Sequence, residues 1–249
     1  MVVVKYSQVN EELLNNLVFS KDDRDNIKIN YKDGNTKYKD EKLVIQGTTV
    51  RVPFGVSRND NGRLGQTVLS FEARKVKDEE KMNLFNKNVE EFEQAMKLID
   101  NKFRKEFNKN YEIWMNDTDL EEDELEDMYK SFIVVSDKYA DNMKVEMKDY
   151  TFTDKNTNEQ VVVQTDFFNW KTHEKMSSDI MLGNGSLKGD YIKPQLIFDT
   201  MIIKRGDGGK GETIRPKITI PHCKYFPGEK KISKVIESRF NHVDDDDDY

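Results

Sequence analysis

The residues that could do chemistry begin with Gly206-Asp207-Gly208-Gly209-Lys210-Gly211, which satisfies the pattern G-x-G-x-x-G. That pattern holds a pyrophosphate only where a strand precedes it and a helix opens after it, so that helix N-terminal amides face the phosphates. Here MIIKR precedes and ETIRPKITIP follows, and both flanks read as strands, so the six residues form a flexible hairpin loop. A Walker A reading fails as well, because Glu212 and Thr213 follow Gly211 where Lys and Ser or Thr are required. The acidic run that starts Asp117-Thr118-Asp119 has oxygens at calcium-loop spacing but lacks the glycine at the sixth position. His222 and Cys223 are adjacent, so on a strand they point to opposite faces and cannot act as a pair. One cysteine and three histidines exclude a disulfide framework and a cysteine-rich zinc site, and leave little for a catalytic triad. Carboxylates are plentiful, but none lies in an apolar run that would raise its pKa. The chain reads as a non-enzyme with no catalytic residue, no metal and no cofactor.

What remains is a mixture of cations and aromatics along strand-like segments. Arg51, Phe54 and Arg58 lie on or just after one segment, and Arg74 and Lys75 lie on the next. Phe167, Phe168, Trp170 and Lys171 follow a third, while Lys204, Arg205, Lys210, Arg215 and Lys217 surround the glycine loop. A protein that holds single-stranded nucleic acid needs this mixture: cations follow the phosphates, and exposed rings stack on unpaired bases at roughly 1–3 kcal/mol each. Most strand Phe and Trp are core, so the basic loop joining two strands is the stronger element of the pattern.

The elements that must position these residues follow from periodicity. YSQVNEELLNNLVF suggests a short helix. From Leu43 to Val56 the chain is rich in β-branched residues and reads as one strand, with Pro53 at an edge or bulge. Asn59-Asp60-Asn61-Gly62 supplies a turn, and GQTVLSFEARKV returns as a second strand. From Asp78, a plausible N-cap, Met82, Phe85, Val89, Phe92, Met96, Ile99 and Phe103 recur at steps of three and four. That spacing predicts an amphipathic helix of about seven turns, with its stripe in the core. A shorter helix follows from about Leu120 to Lys130. Beyond Ser131 the pattern is β again, through VEMKDYTFTD, EQVVVQTDFF, SLKGDYIKPQLIFDTMIIKR and IRPKITIPHCKYF, with a last short helix at 229–241. The expected organisation is one mainly β (α+β) domain over 1–241, an antiparallel β-barrel with a helical insertion at about 78–131, and a disordered acidic tail over 242–249.

The chain has 249 residues, 36% hydrophobic and 35% charged, with a mean hydropathy of −0.83. That length can bury a substantial core. No run approaches the roughly 18 apolar residues of a membrane-spanning helix, and the first residues are too short an apolar stretch for a signal peptide. An intracellular, soluble protein is expected. The net charge is −7, but the five acids Asp244 to Asp248 and the eight acids between Asp117 and Asp127 hold the acidity; without both segments the remainder stands at +6. A body of that sign tolerates a polyanion, and five consecutive aspartates self-repel and cannot fold.

The order of these features resembles the replicative single-stranded DNA-binding proteins of tailed phages and large DNA viruses, which use an OB-fold. The long helix with FxxNVEEFEQAMKLI interrupts the β-domain. TDKNTNEQVVV and then LGNGSLKGDYIKPQLIF are similar to the glycine-serine turn and strand late in those folds, and the chain ends in DDDDDY. The likeness covers roughly residues 40–225 in layout, plus the last six. It implies an OB-like barrel and a protein that coats single-stranded DNA in replication, recombination or repair. It also implies that Asp244, Asp245, Asp246, Asp247, Asp248 and Tyr249 recruit a polymerase, helicase or primase and compete with DNA for the basic cleft. Gly183 to Ser186 would shape a turn beside the binding face, with Lys188 near the phosphate path. The protein would act in the host cytoplasm if phage-encoded, or at the viral replication site if from a large DNA virus; a homo-oligomer stays open. The acidic block at 117–127 is not part of that pattern. The rival reading is a non-enzymatic virion structural or assembly protein that presents the helical insertion to partners. A distant third is a nucleotide-processing enzyme using the glycine loop.

Overall fold

In the computed structural model the described residues are 1–32, 41–58, 64–74, 78–115, 121–154, 157–183, 186–204 and 212–228, with Arg58, Leu64 and Glu122 described by their backbone. The chain opens with β1 (Val2–Lys5), a 3-10 turn, α1 (Glu11–Asn15), β2 (Leu17–Lys21) and β3 (Ile27–Tyr31). Asn10 caps α1 by accepting the Leu13 N–H at 2.8 Å. Next come β4 (Leu43–Gln46), β5 (Val50–Val52), β6 (Ser57–Arg58) and β7 (Leu64–Ser70). Two helices follow, α2 (Glu79–Met115) and α3 (Glu122–Met128), then β8 (Ile133–Val134), β9 (Asn142–Thr153) and β10 (Gln160–Gln164). The last elements are β11 (Asp166–Asn169), β12 (Lys175–Met176), α4 (Ser178–Met181), β13 (Asp190–Lys204), β14 (Thr213–Ile220) and β15 (His222–Phe226).

The helix expected from Asp78 forms, and Asp78 caps it by accepting the Lys81 N–H at 3.1 Å. It runs to Met115, which at 1.5 Å per residue is about 55 Å, because the apolar stripe continues through Phe107 and Trp114. Phe85, Val89, Phe92, Met96, Ile99, Phe103 and Phe107 are all buried. Their partners are aromatic side chains of the sheet and its flanks: Phe92 meets Tyr6 and Phe71 edge-on, and Phe103 meets Phe19 and Phe198, with ring centroids 5.6–5.8 Å apart. Asp100 sits on the buried side of α2. It accepts hydrogen bonds from the Tyr129 hydroxyl (2.8 Å), the Ser131 hydroxyl (2.8 Å) and the Phe132 N–H (3.3 Å), tying the helix to the segment after α3. Burial, with the Asp100 carboxylate adding, pushes the Tyr129 phenol far above its ordinary value, so it remains a donor. Asp190 is likewise buried and accepts the Gly228 N–H at 2.9 Å. Two carboxylates therefore lie in the interior among the described residues, and the partners just named stabilise them there.

The stretch 43–56 is two strands rather than one. Between them stands Gly47, where a Cβ would meet the Phe92 ring at 3.0 Å and Pro194 at 3.2 Å; α2 and β13 both crowd this point. The second strand ends at Ser70, so Arg74 lies beyond it. Pro221 divides the late stretch 214–226 into β14 and β15.

β13 is the hub. β14 and then β15 pair along one part of it or another, as do β3, β4 and β5, all antiparallel. The pairings β5–β7, β7–β9, β9–β14, β14–β13 and β13–β5 return to their start, so five strands make a closed circuit. The sheet is mixed rather than antiparallel throughout: β1 with β4, β11 with β15, and β9 with β14 run parallel. At least one parallel pair is unavoidable in the circuit, since five strands cannot alternate direction all the way round, and here it is β9 with β14.

Candidate nucleic-acid interface

The circuit leaves one face of β7, β9 and β14 turned away from the core. Alternation places Gln66 and Val68 of β7 there, opposite Glu146 and Lys144 of β9. From β14 the same face receives Thr213, Arg215 and Lys217, all partly exposed between buried Ile214, Pro216 and Ile218. Two walls rise beside this floor. One is the bend Phe54-Gly55 with Ser57; the other is the segment Lys130 to Val134 that follows α3. The result is an open cleft of about 530 Å³.

Each wall is held by specific contacts. Gly55 turns the chain at φ +78°, a conformation glycine adopts without strain, and its carbonyl accepts the Thr67 hydroxyl at 2.8 Å. Val56 N–H donates to the Ser186 carbonyl. Phe54 is left projecting from this anchored bend, 71% exposed. On the other side the Lys130 N–H donates to the Ile214 carbonyl at 2.8 Å, and Ile133 pairs with Met143.

The cleft is cationic. Among the described residues, Lys130, Lys144, Lys204, Arg215 and Lys217 line it, against one carboxylate, Glu146, which holds Lys217 Nζ at 2.9 Å. Four charges are in excess, over a floor that also carries Gln66, Ser57 and Thr213 as neutral hydrogen-bonding groups. Low-dielectric walls focus such a field outward.

Of the expected binding residues, Phe54, Lys204, Arg215 and Lys217 come together here. Lys188 is exposed in the turn before β13, where Gly189 N–H donates to the Val52 carbonyl. Ser186 N–H donates to the Gly183 carbonyl at 2.9 Å, while residues 184–185 of the expected turn lie outside the described residues. Arg51 is elsewhere, its guanidinium 2.6 Å from Glu72. Arg74 lies over the Tyr191 ring at 4.7 Å and near Phe85, bracing the start of α2. Trp170 stacks on Phe226 (centroids 5.6 Å apart) and carries Lys171 Nζ at 5.0 Å, so its ring is already engaged. The Arg58 side chain, Lys75, Arg205, Lys210 and Asp244 to Tyr249 lie outside the described residues.

Lys130 and Lys144 are the cations that sequence reasoning missed. Lys144 had a signal, since it alternates with Glu146 along β9; Lys130 had none, because it reaches the cleft from the helical insertion. Cys223 is buried, and burial, with Asp166 adding, pushes its thiol up, away from nucleophile behaviour. His222 faces the other way, its Nδ1 3.4 Å from Asp166 Oδ2. Among the described residues no cluster of three or more His, Cys, Asp or Glu could hold a metal ion, and no helix is long and apolar enough to cross a membrane.

No protein-family model matches the chain, and no curated protein matches it. Solved structures are similar to it, among them the following three. One is gp2.5, a single-stranded DNA-binding protein encoded by bacteriophage T7, with 12% identity and a TM-score of 0.37 over 80% of this chain and 98% of that one. Another is the single-stranded DNA-binding protein from bacteriophage Enc34 in a C-terminally truncated form, at 10% identity and a TM-score of 0.40 over 87% and 98%. The third is the Enc34 protein in complex with single-stranded DNA, at 11% identity and a TM-score of 0.40 over 86% and 96%. These solved neighbours are phage single-stranded DNA-binding proteins.

Proposed function

We propose that the protein binds single-stranded DNA, without catalysis, in the cleft across β7, β9 and β14. The observation that carries this reading is the excess of four cations in a cleft whose rim bears an exposed phenylalanine. Cations hold phosphates at any sequence, and Phe54 offers a face on which an unpaired base stacks. A duplex keeps its bases stacked inside and gains nothing from Phe54, so the pair of features selects for single strands.

The strand circuit supports an OB-like barrel. Taken in chain order its members are β5, β7, β9, β13 and β14. The cleft uses the second and third of these with the first-to-second and fourth-to-fifth connections, which is where OB-folds hold oligonucleotides. Arg58 belongs by sequence to the first of those connections, and Arg205 and Lys210 to the second. The wider role we infer is coating and protecting single-stranded DNA during phage or viral replication, recombination or repair. The segment Asp244–Tyr249 would then recruit a basic partner protein such as a polymerase, helicase or primase.

The test is fluorescence anisotropy of a labelled oligo-dT of about 30 nucleotides beside a duplex of the same length, at low and high salt. Tight binding that favours the single strand is expected, with log K falling against log salt at a slope of about −3 for four phosphate contacts. No binding at low salt, even after removal of the acidic tail, would reject the reading and leave a structural or assembly role as its replacement.

A further inference from the structure

The outward face of β13 continues past the cleft. A bulge between Phe198 and Thr200 shifts the alternation by one residue, so Lys193 and Gln195 before it look outward with Lys204 after it. Lys193 stands opposite Lys224 of β15, and Lys224 stands opposite Phe168 of β11. These three residues, with His173 and His222, line a second cleft of about 420 Å³.

Two lysines in direct register across neighbouring strands hold their Cβ atoms about 5 Å apart, and like charges so placed repel. Among the described residues neither has an ion-pair partner. The carboxylate of β11, Asp166, is already engaged by Lys175 at 2.6 Å and by His222. An anion seated between Lys193 and Lys224 would relieve the repulsion. The surface between the two clefts does not oppose a polyanion either: its carboxylate Asp199 lies between Lys42 (3.7 Å) and Lys148 (4.0 Å).

We propose that the Lys193–Lys224 cleft is a second backbone seat for the same single DNA strand after it leaves the first cleft, with Phe168 flanking the phosphate position. The proposal rests on the single-strand reading above and extends it. From Lys193 to Lys204 the outer face of β13 runs about 36 Å at roughly 3.3 Å per residue, so only a strand longer than the first cleft can reach both seats. Short DNA should be blind to the second cleft and long DNA should feel it.

Labelled oligo-dT of about 8 and about 30 nucleotides, lengths within and beyond the roughly 4–16 nucleotides one OB-fold holds, is titrated against the full chain and against Lys193→Gln/Lys224→Gln. The single substitution Lys224→Glu, at an exposed position, repeats the test should the double variant fold poorly. For the 30-mer, affinity is expected to drop about tenfold at low salt, and the salt slope to become shallower by about 1.4, the loss of two phosphate contacts. The 8-mer should bind the variants within about twofold of the parent. Unchanged affinity and slope for the 30-mer would overturn the proposal while leaving the first cleft intact, and so would equal losses for both lengths. If the variants keep the 30-mer but lose a peptide of sequence DDDDDY that the parent binds, the seat is for acidic peptide, and the proposal is equally overturned. Failure of the parent chain to bind either oligonucleotide would reject both readings together.

Discussion

Among the described residues two aromatics line the first cleft, and their exposure separates them: Phe132 is 5% exposed and Phe54 71%. Only Phe54 can offer a ring face to a base. Replacing Phe54 with Ala should weaken oligo-dT binding by about 1–3 kcal/mol, roughly 5- to 150-fold in Kd, with no change in urea midpoint because the ring buries almost nothing. Titration and urea unfolding of the same variant check both halves, and an unchanged Kd would remove base stacking from the mechanism. By residue type, Phe54 and Trp170 looked alike in the sequence, each an aromatic within three residues of a cation. Packing told them apart, since Phe226 lies against the Trp170 ring and comes from a strand more than fifty residues later. Arg51 and Arg74 differ from Arg215 for the same reason: the first two have tertiary partners, Glu72 and Tyr191, that a linear reading cannot supply.

At the scale of elements, α2 was the most legible feature, because a 3.6-residue period over many turns has no other explanation. Its C-terminal turns, beyond the seven expected, follow the same spacing through Phe107, Tyr111 and Trp114. Where α2 meets the end of the sheet, Lys97 Nζ bridges Glu93 at 2.6 Å and Asp141 at 2.9 Å, just before β9 begins. The hydrogen bond from Lys97 holds the Asp141 carboxyl below the usual carboxylate range, aided by the Ser136 N–H and opposed by desolvation. A group with a lowered folded pKa binds fewer protons folded than unfolded, so stability rises with pH through that window. The bridge therefore contributes fully above the unfolded carboxylate value of about 3.9, and is lost as pH falls through the lower folded one. Asp141→Asn should be less stable than the parent by about 0.5–1 kcal/mol at pH 7, a modest figure because Lys97 is 44% exposed and water screens it. Urea unfolding at pH 7 and below pH 3 should show that gap closing; a gap of constant size would mean the charge contributes nothing.

The whole molecule is acidic at −7, yet its cleft is basic, and the separation in sequence was visible before any fold was known. Asp244 to Asp248 account for five of those charges. Deleting Asp244–Tyr249 should raise affinity for oligo-dT several-fold at low salt, with the advantage disappearing near 1 M salt, where the Debye length falls to about 3 Å. Equal affinities of the two forms at low salt would exclude competition by the tail. The acidic block at 117–127 needs no such role: the described part of it, from Glu121, is α3, which precedes the Lys130 wall.

The sequence by itself determined the long helix and its buried stripe, the β character of the rest, and the presence of basic residues around a hairpin between two late strands. Those are properties of period and composition, which act over a few residues. Only the tertiary structure decided which strands close the circuit, that β9 and β14 run parallel, and which cations share a face. Strand pairing joins residues distant in the chain, such as Glu146 and Thr219, and no local preference encodes that choice. The same physics brought Lys130 to Arg215 and set Lys193 against Lys224: charge placement on a sheet is decided by register, and register is settled by burying the opposite face.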